Sequence, residues 1–115
     1  MSLLYLADFP LAWELLESEG YRLVTKNHHG DGGEVDVIAW EGDVLCFVEV
    51  RSRADDSFGD PLETIDRRKI KRIGRAAYHF LSTFEEHWPV MRFDAVGVTL
   101  TDPPKLRLVK DAFEL

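Results

Sequence analysis

The sequence predicts a single small α/β domain in which helices pack on a mixed β-sheet. The chain has 115 residues, the length of one domain, and a second domain would leave each half near the lower limit for a self-supporting core. Hydrophobic residues make up 45% and charged residues 30%, the balance of an ordinary globular protein. Segments with helical or strand periodicity follow in the order α, β, β, β, α, β, β. This order favours a mixed sheet covered by helices.

The first part of the chain is predicted to contain one helix and one short strand. Pro10 suits a first helical turn that Asp8 could cap, so a helix is expected over about residues 10–19. Residues 21–25 are typical of a strand. Residues 27–33 are rich in glycine and histidine, and their composition predicts a flexible loop.

The remaining elements are a hairpin, a second helix and two strands. The β-type runs at 34–40 and 44–51 are joined by Glu41-Gly42-Asp43, which is a hairpin signal. After a loop rich in Asp, Ser and Gly, apolar residues at helical spacing predict a helix over about residues 66–84. Two strands are expected after it, at residues 91–100 and 106–109.

The net charge of −7 hides one strongly basic segment. Lys plus Arg total 14 and Asp plus Glu total 21, so the mean field of the chain repels phosphate and argues against a bulk polyanion binder. One face of the second helix is nevertheless expected to be basic, either solvated or bound to nucleic acid. Six of the 14 cations fall within nine consecutive positions that hold no acid: Arg67, Arg68, Lys69, Lys71, Arg72 and Arg75.

Composition excludes several classes of protein. No apolar run approaches the roughly 18–20 residues of a membrane span, so we expect no membrane partner. The first nine residues carry Asp8 and no basic flank, unlike a signal peptide. The single cysteine, Cys46, rules out an intrachain disulfide and a thiolate zinc cluster. A reducing compartment, and hence the cytoplasm, is expected.

The predicted hairpin places two carboxylates on one face of the sheet. Because side chains alternate along a strand, a two-residue turn at Glu41-Gly42 makes Asp36 and Glu49 diagonal neighbours, roughly 7–8 Å apart at Cα. A four-residue turn sets them directly opposite, whereas a three-residue turn separates them unless a bulge restores the phase. The other face is entirely apolar and is expected in the core: Val35, Val37, Ala39, Val44, Cys46, Val48 and Val50.

The far end of the carboxylate face gathers Glu34, Asp36, Glu49 and Arg51. Like charges across a strand pair are destabilising by up to roughly 1 kcal/mol, and a hard divalent cation relieves the repulsion. Mg²⁺ usually needs only one or two protein carboxylates beside water and substrate phosphate. Arg51 could hold a phosphate or a charged transition state there. A solvated strand end is the alternative interpretation, but the acidic end and the basic helix together favour phosphodiester chemistry.

Two blocks at a fixed separation, residues 33–39 (GEVDVIA) and 47–53 (FVEVRSR), closely resemble the YraN-like family of uncharacterised proteins. That family looks like a branch of the PD-(D/E)XK nuclease superfamily, akin to Holliday junction resolvases. The resemblance implies a restriction endonuclease-like αβββαβ core and phosphodiester hydrolysis that depends on Mg²⁺, with Mn²⁺ as a substitute. Further matches across about residues 11–115 are Phe58-Gly59-Asp60-Pro61, Glu63, Arg68-Lys69, residues 75–77, Arg92-Phe93-Asp94 and Ala112-Phe113.

Carried over residue by residue, the resemblance implies roles for particular positions. Asp36 and Glu49 match the two metal-binding acids, and Glu34 matches the extra acid of the Gly-Glu-x-Asp block. Val50 would offer its backbone carbonyl to the metal, and Glu63 is an additional candidate for the site. The backbone of the nucleic acid would be held, in a salt-sensitive manner, by Arg68, Lys71, Arg72 and Arg75.

Two departures from the superfamily pattern concern catalysis. The signature lysine, two residues after the second acid, is here Arg51, which can stabilise charge but is a poor general base. Lys69 could supply an amine if the second helix packs over the site. The Gly-Glu that usually precedes the first helix corresponds here to Asp8-Phe9, so Asp8 is an approximate stand-in.

The leading hypothesis is therefore a Mg²⁺-dependent nuclease acting on DNA, which is favoured over RNA, with branched DNA among the candidate substrates. A non-catalytic nucleic-acid-binding module that keeps the fold is the first alternative, which Arg51 and the altered first helix favour. A protein adaptor in DNA processing is the second. Junction-cutting relatives act as two-fold dimers, so a homodimer stays open, although the sequence shows no clear dimer patch.

Several other residues have both a functional and a structural interpretation. His28 and His29 could bind a transition metal or substrate, or could simply occupy the loop. Asp94 is expected to pair with a basic group, and Cys46 to be inert in the core. The tryptophans could stack on bases, although packing in the core or at its rim is the expected role: Trp13, Trp40 and Trp88.

Overall fold

Five β-strands form one mixed sheet, and an α-helix covers each of its faces. The structure is a computed structural model that describes residues 3–57, 59–85 and 87–115. Phe58, part of the matched Phe58-Gly59-Asp60-Pro61 block, lies outside the described residues. The elements in chain order are α1 (Leu3–Ser18), β1 (Arg22–Gly30), β2 (Gly33–Glu41), β3 (Val44–Arg53), a 3₁₀ helix (Pro61–Thr64), α2 (Arg67–Leu81), β4 (Met91–Thr99) and β5 (Lys105–Val109).

The strands lie in the order β1-β2-β3-β4-β5. Only β3 and β4 run parallel, and α2 connects them; the other neighbouring pairs are antiparallel. The αβββαβ order expected for a restriction endonuclease-like core is present, and β5 extends the sheet at its edge. Neither described helix combines the length and the apolar content that crossing a bilayer requires.

The central strands β2 and β3 are apolar on both faces because each face is covered by a helix. The predicted core face is confirmed for Val37, Ala39, Cys46 and Val48, which pack with Ala12 and Leu16 of α1. The opposite face forms a second cluster under α2. Its buried members are Val35, Ile38, Leu45, Phe47, Ile73, Ala76, Ala77, Leu81 and Phe93.

Val35 therefore lies on the other side of the sheet from the one that strict alternation predicts. Regular pairing of β2 with β3 ends at Val37 opposite Val48, and the alternation is broken at Asp36, between Val35 and Val37. The interruption falls at the position of the first predicted metal ligand.

The β2–β3 hairpin has the register in which Asp36 would stand opposite Glu49, which was predicted for a four-residue turn, but the turn has two residues and lies one position later than the predicted two-residue turn. Glu41 faces Val44, so the turn consists of Gly42 and Asp43 only. Gly42 has a φ of 58°, which glycine adopts without steric cost.

The second helix ends at Leu81, three residues before its predicted end, and two predictions about the first part of the chain are wrong. The first helix begins at Leu3, with Pro10 inside it, because the leucine- and alanine-rich residues before the proline are strong helix formers. Residues 27–30 belong to β1 instead of a loop, and only Asp31 and Gly32 form the turn to β2. Pairing with the buried strand β2 overrides the local preference of a glycine- and histidine-rich segment.

Close contact fixes α2 against the hairpin of β1 and β2. A Cβ atom at Gly33 would overlap the backbone carbonyl oxygen of Arg72, so only glycine lets the helix come this close. This contact places the basic segment of α2 at the edge of the sheet, beside the β1–β2 turn.

Candidate functional site

The carboxyl groups of Asp36 and Glu49 lie side by side where β2 leaves β3. The backbone N–H of Val50 donates to Asp36 Oδ2 at 2.8 Å, which anchors one carboxylate oxygen of Asp36. Asp36 and Glu49 are close enough for a hydrogen bond between their carboxyl groups. The structure thus brings these two acids together at the point where the pairing of β2 with β3 ends.

Glu49 is only 3% exposed, and its protonation differs from that of an ordinary glutamate. Burial raises the pKa of Glu49 to about 9, and the hydrogen bond with Asp36 and its negative charge act in the same direction. Lys69 and Arg51 oppose this rise in pKa. At neutral pH the pair of carboxyl groups therefore retains a proton, which a bound cation would displace.

Two cations reach Glu49, one from β3 and one from α2. Lys69 Nζ lies 3.7 Å and Arg51 Nη1 lies 3.9 Å from Glu49 Oε2. Asp66 caps α2 by accepting a hydrogen bond from the backbone N–H of Lys69 at 2.9 Å, which fixes the first turn over β3. Arg51 Nε donates to Thr64 Oγ1 at 2.7 Å in the 3₁₀ helix. Lys69 was a candidate only if the second helix packs over the site, and α2 does bring Lys69 to Glu49.

A third acid approaches from the opposite helix. Asp8 lies inside α1, 6% exposed, instead of capping it. Its Oδ1 atom is buried and has no hydrogen-bond partner among the described residues. Burial raises the pKa of Asp8. A hydrogen bond with Ser52 opposes this rise, and the charge of Asp36 adds to it. Sequence reasoning had only a weak signal for Asp8, because its position depends on a helix that continues through Pro10.

These oxygen donors fit a hard divalent cation. Among the described residues, no three His, Cys, Asp or Glu side chains form a ready-made metal cluster. Mg²⁺ and Mn²⁺ need fewer protein ligands than that, because water and phosphate complete their coordination. The half-buried Asp36 and the buried Glu49 are suited to such an ion, and the Asp8 carboxyl group is close enough to interact with the charge of Asp36.

Two predicted acids occupy other places. Glu34 Oε2 lies 3.6 Å from His29 Nδ1, and the Glu34 side chain is 40% exposed. Glu63 is exposed on the 3₁₀ helix, with its carboxylate beside Gly59. In the described part of the chain, neither carboxylate is brought into contact with Asp36 or Glu49.

The cations of α2 form the basic face, defined as Arg68, Lys71, Arg72 and Arg75. Their spacing of three and four residues places them on one side of the helix, and all four are exposed. Together with Gly32 of the β1–β2 turn they line a cavity of about 500 Å³. The basic face starts one residue from Lys69, so it continues directly from the carboxylate site along the helix.

The remaining candidates have mainly structural contacts. His28 Nε2 lies 3.1 Å from His79 Nδ1, whereas His29 points towards Glu34, because neighbouring strand residues face opposite sides. Burial, with the charges of His79 and His29, lowers the pKa of His28. Cys46 is fully buried, and burial raises the pKa of its thiol to about 12, which makes it inert as expected.

Asp94 is fully buried and pairs with a basic group, as predicted. Arg92 Nε donates to Asp94 Oδ1 at 2.7 Å, and the Tyr21 hydroxyl donates to Oδ2 at 2.7 Å. The backbone N–H of Asp111 donates to Oδ1 at 2.9 Å. Burial alone would raise the pKa of Asp94, but these hydrogen bonds outweigh it and lower the pKa.

Comparison with known proteins finds relatives over most of the chain. The family model described as "Uncharacterised protein family UPF0102" matches residues 10–98. The UPF0102 protein CT2262 of Chlorobaculum tepidum is 41% identical over 83 residues, 72% of this chain and 64% of that protein, so the chain spans less than two thirds of it. A UPF0102 protein of Solibacter usitatus is 35% identical over 105 residues, 90% of this chain and 80% of that protein. UPF0102 protein IL0423 of Idiomarina loihiensis is 37% identical over 105 residues, 90% of each chain.

Proposed function

The chain belongs to the uncharacterised protein family UPF0102, and we propose that it is a Mg²⁺-dependent nuclease of the PD-(D/E)XK type that hydrolyses phosphodiester bonds in DNA. The observation that carries the proposal is the close pair of carboxyl groups formed by half-buried Asp36 and buried Glu49, with two cations beside Glu49. Keeping two acids this close costs folding free energy unless a ligand binds them. Carboxyl groups with perturbed pKa values cluster at functional sites.

The roles of the residues follow from their positions. Asp36 and Glu49 would hold Mg²⁺, or Mn²⁺ in its place, with the Val50 carbonyl and Asp8 as further oxygen donors. Such an ion would supply a water of lowered pKa and would screen the charge of the scissile phosphate. Arg51, anchored on Thr64, stabilises the negative charge that develops on the phosphate. We assign to Lys69 Nζ the positioning of the attacking water beside Glu49.

The basic face binds the backbone of the DNA. Its four exposed cations continue from Lys69 along α2, so a strand lying on them passes over the carboxylate site. DNA is proposed in preference to RNA, and branched DNA is among the substrates to be tested. A homodimer, which light scattering would detect, and a cytoplasmic location, which the thiol of Cys46 suits, belong to the same proposal.

A non-catalytic nucleic-acid-binding module is the second candidate. It is favoured by Arg51, which keeps its proton in the place where the superfamily carries lysine. Here Arg51 Nε is bound to Thr64, so its guanidinium is committed to a structural contact as well. A module of this kind would bind DNA with strong salt dependence and would not cleave it.

The test is a cleavage assay with single-stranded, duplex and branched DNA in Mg²⁺ or Mn²⁺. Asp36→Asn is expected to abolish metal-dependent cleavage, because it removes a charged ligand while it keeps an acceptor for the Val50 N–H. The matched control is Asp43→Asn, an exposed acid of the β2–β3 turn, which should cleave like the wild type. Equal cleavage by Asp36→Asn would contradict the proposed site. DNA binding without turnover would favour the non-catalytic module. Absence of DNA binding would leave the protein adaptor in DNA processing as the remaining alternative.

A further inference from the structure

A second cavity adjoins the basic face, and its character is different. It has a volume of about 290 Å³ and an apolar floor between two cationic side chains. Lys71 and Arg75 line this cavity and the basic cavity of about 500 Å³ as well, so the two are continuous along one side of α2. The residues that line the smaller cavity are Ile70, Lys71, Gly74, Arg75, Tyr78 and Leu115.

The floor of this cavity depends on one small residue. A Cβ atom at Gly74 would lie 2.8 Å from Leu115 Cδ2, so glycine leaves room for the leucine side chain to lie against the helix. The result is a shallow apolar recess whose lining includes the Tyr78 ring and the cationic side chains of Lys71 and Arg75.

Two exposed aromatic rings extend the recess. Tyr78 is 46% exposed and Trp88 is 52% exposed, and their ring centroids are 5.6 Å apart at an interplanar angle of 43°. The other two tryptophans are half-buried and pack against the core clusters. We call Tyr78 and Trp88 the aromatic platform. Exposed apolar patches bordered by polar groups mark interaction sites on proteins.

The platform is aligned with the basic face. Lys71, Arg75 and Tyr78 stand at positions i, i+4 and i+7 of α2, and so on the same side of the helix. Nine residues separate Tyr78 from Lys69, which corresponds to about 13 Å along the helix axis. A strand whose phosphates lie on Lys71 and Arg75 therefore presents its bases beside the platform, a short distance from the carboxylate site.

Resting on the proposed function, we propose that the aromatic platform stacks an unpaired base of single-stranded DNA, so that the substrate is a single strand or the single-stranded part of a branched molecule. A paired base inside a duplex has both faces covered by its neighbours and offers no ring to the platform. A positively charged track beside exposed aromatic rings is the arrangement that single strands require, because every base has a π-face. Because the track is positively charged, a negatively charged ligand fits it better than an uncharged apolar ligand does.

Affinity for labelled single-stranded oligothymidine and for a duplex of equal length tests this inference, measured by fluorescence anisotropy in EDTA to prevent cleavage. Trp88→Ala and Tyr78→Ala are each expected to weaken single-strand binding by about 5- to 150-fold and to leave duplex binding and the salt dependence unchanged. Trp88→Phe should restore most of the affinity because it keeps a stacking ring. Val90→Ala, which shortens a 72% exposed apolar side chain nearby without removing a ring, should bind like the wild type.

The outcomes separate the inference from the proposed function. If the wild type binds neither single strand nor duplex, both are overturned. If it binds DNA but Trp88→Ala and Tyr78→Ala bind the single strand as the wild type does, only the aromatic platform is overturned. An equal loss for single strand and duplex would also overturn it. Arg75→Ala provides the comparison, because loss of a phosphate contact should weaken both ligands and reduce the salt slope by about 1.

Discussion

At the scale of single residues, folding changes the protonation of Glu49 in a way that makes the stability of the protein depend on pH. Its pKa is raised by burial and by Asp36, so the folded state keeps a proton that the unfolded chain releases above the ordinary pKa of a glutamate. The folded state thus binds more protons than the unfolded state in this range. Stability must therefore fall as the pH rises from the ordinary value, near 4.5, towards the raised one.

Glu49→Gln is expected to remove this loss of stability in the metal-free protein. The amide copies the protonated acid, so the variant should match the wild type near pH 5 and exceed its free energy of unfolding by more than about 1 kcal/mol at pH 8–9, since one pKa unit is worth about 1.4 kcal/mol. Urea unfolding in EDTA at several pH values measures this difference. The exposed acid Glu63, changed to Gln, is the control. A parallel pH dependence in Glu49→Gln and the wild type would refute the argument.

Asp94 is a second residue whose effect is predictable. It accepts hydrogen bonds from Arg92, Tyr21 and the Asp111 backbone while fully buried. Asp94→Ala leaves the Arg92 charge without its main partner and should destabilise the protein by about 3–5 kcal/mol. Thermal or urea unfolding checks this value. Asp43→Ala, in the exposed turn, should stay within about 0.5 kcal/mol of the wild type, and a similar result for Asp94→Ala would show that the pairing has little energetic weight.

At the scale of elements, the position of α2 decides whether a site exists. The helix brings Lys69 to Glu49 and the basic face to the same side, and it can do so because Gly33 lets the Arg72 carbonyl approach β2. Gly33→Ala should push the helix away and cost about 1–3 kcal/mol, the usual penalty for overpacking. Unfolding measurements on Gly33→Ala, with the neighbouring Glu34→Ala as control, give the value. A stability equal to that of the wild type would mean that α2 is not held by this contact.

The elements also differ in how far the sequence predicts them. The β2–β3 hairpin follows from its alternating pattern and its turn residues, and Asp36 lies beside Glu49 because the observed register is one of the two that bring these acids together. The length of β1 did not follow, since Gly30 and the histidines prefer loops and are held extended only by pairing with β2. The contact of Lys69 depends on helix packing that no local pattern specifies.

Asp8 shows the same limit for the candidate site. Its approach to Asp36 requires that α1 continue through Pro10 and pack on the face opposite α2. Local rules place a proline at the start of a helix, so they predict a capping role for Asp8 instead. Sequence therefore predicted the two acids that one hairpin brings together, whereas it named Lys69 only on the condition that α2 packs over the site and Asp8 only as an approximate stand-in.

At the scale of the whole molecule, the question is how a chain of net charge −7 can bind a polyanion. Four cations away from α2 form ion pairs with acids: Arg92 with Glu41, Lys105 with Asp56, Arg107 with Asp60 and Lys110 with Glu41. The basic face is different, because its four cations line an open cavity instead. The basic face thus concentrates positive charge on one side of α2, and the excess of acids elsewhere in the chain disfavours other orientations of the DNA.

The salt dependence of binding measures how many phosphates this side contacts. Four contacts predict a slope of log K against log salt of about −3.6 for duplex and about −2.8 for a single strand. Lys71→Ala and Arg72→Ala should each reduce the steepness by about 1. Lys105→Ala should not, because Lys105 lies on the edge strand β5 in an ion pair with Asp56. A slope near zero in the wild type, or an equal change for Lys105→Ala, would place the phosphate contacts elsewhere, and the carboxylate site would then lack the strand that it is proposed to cut.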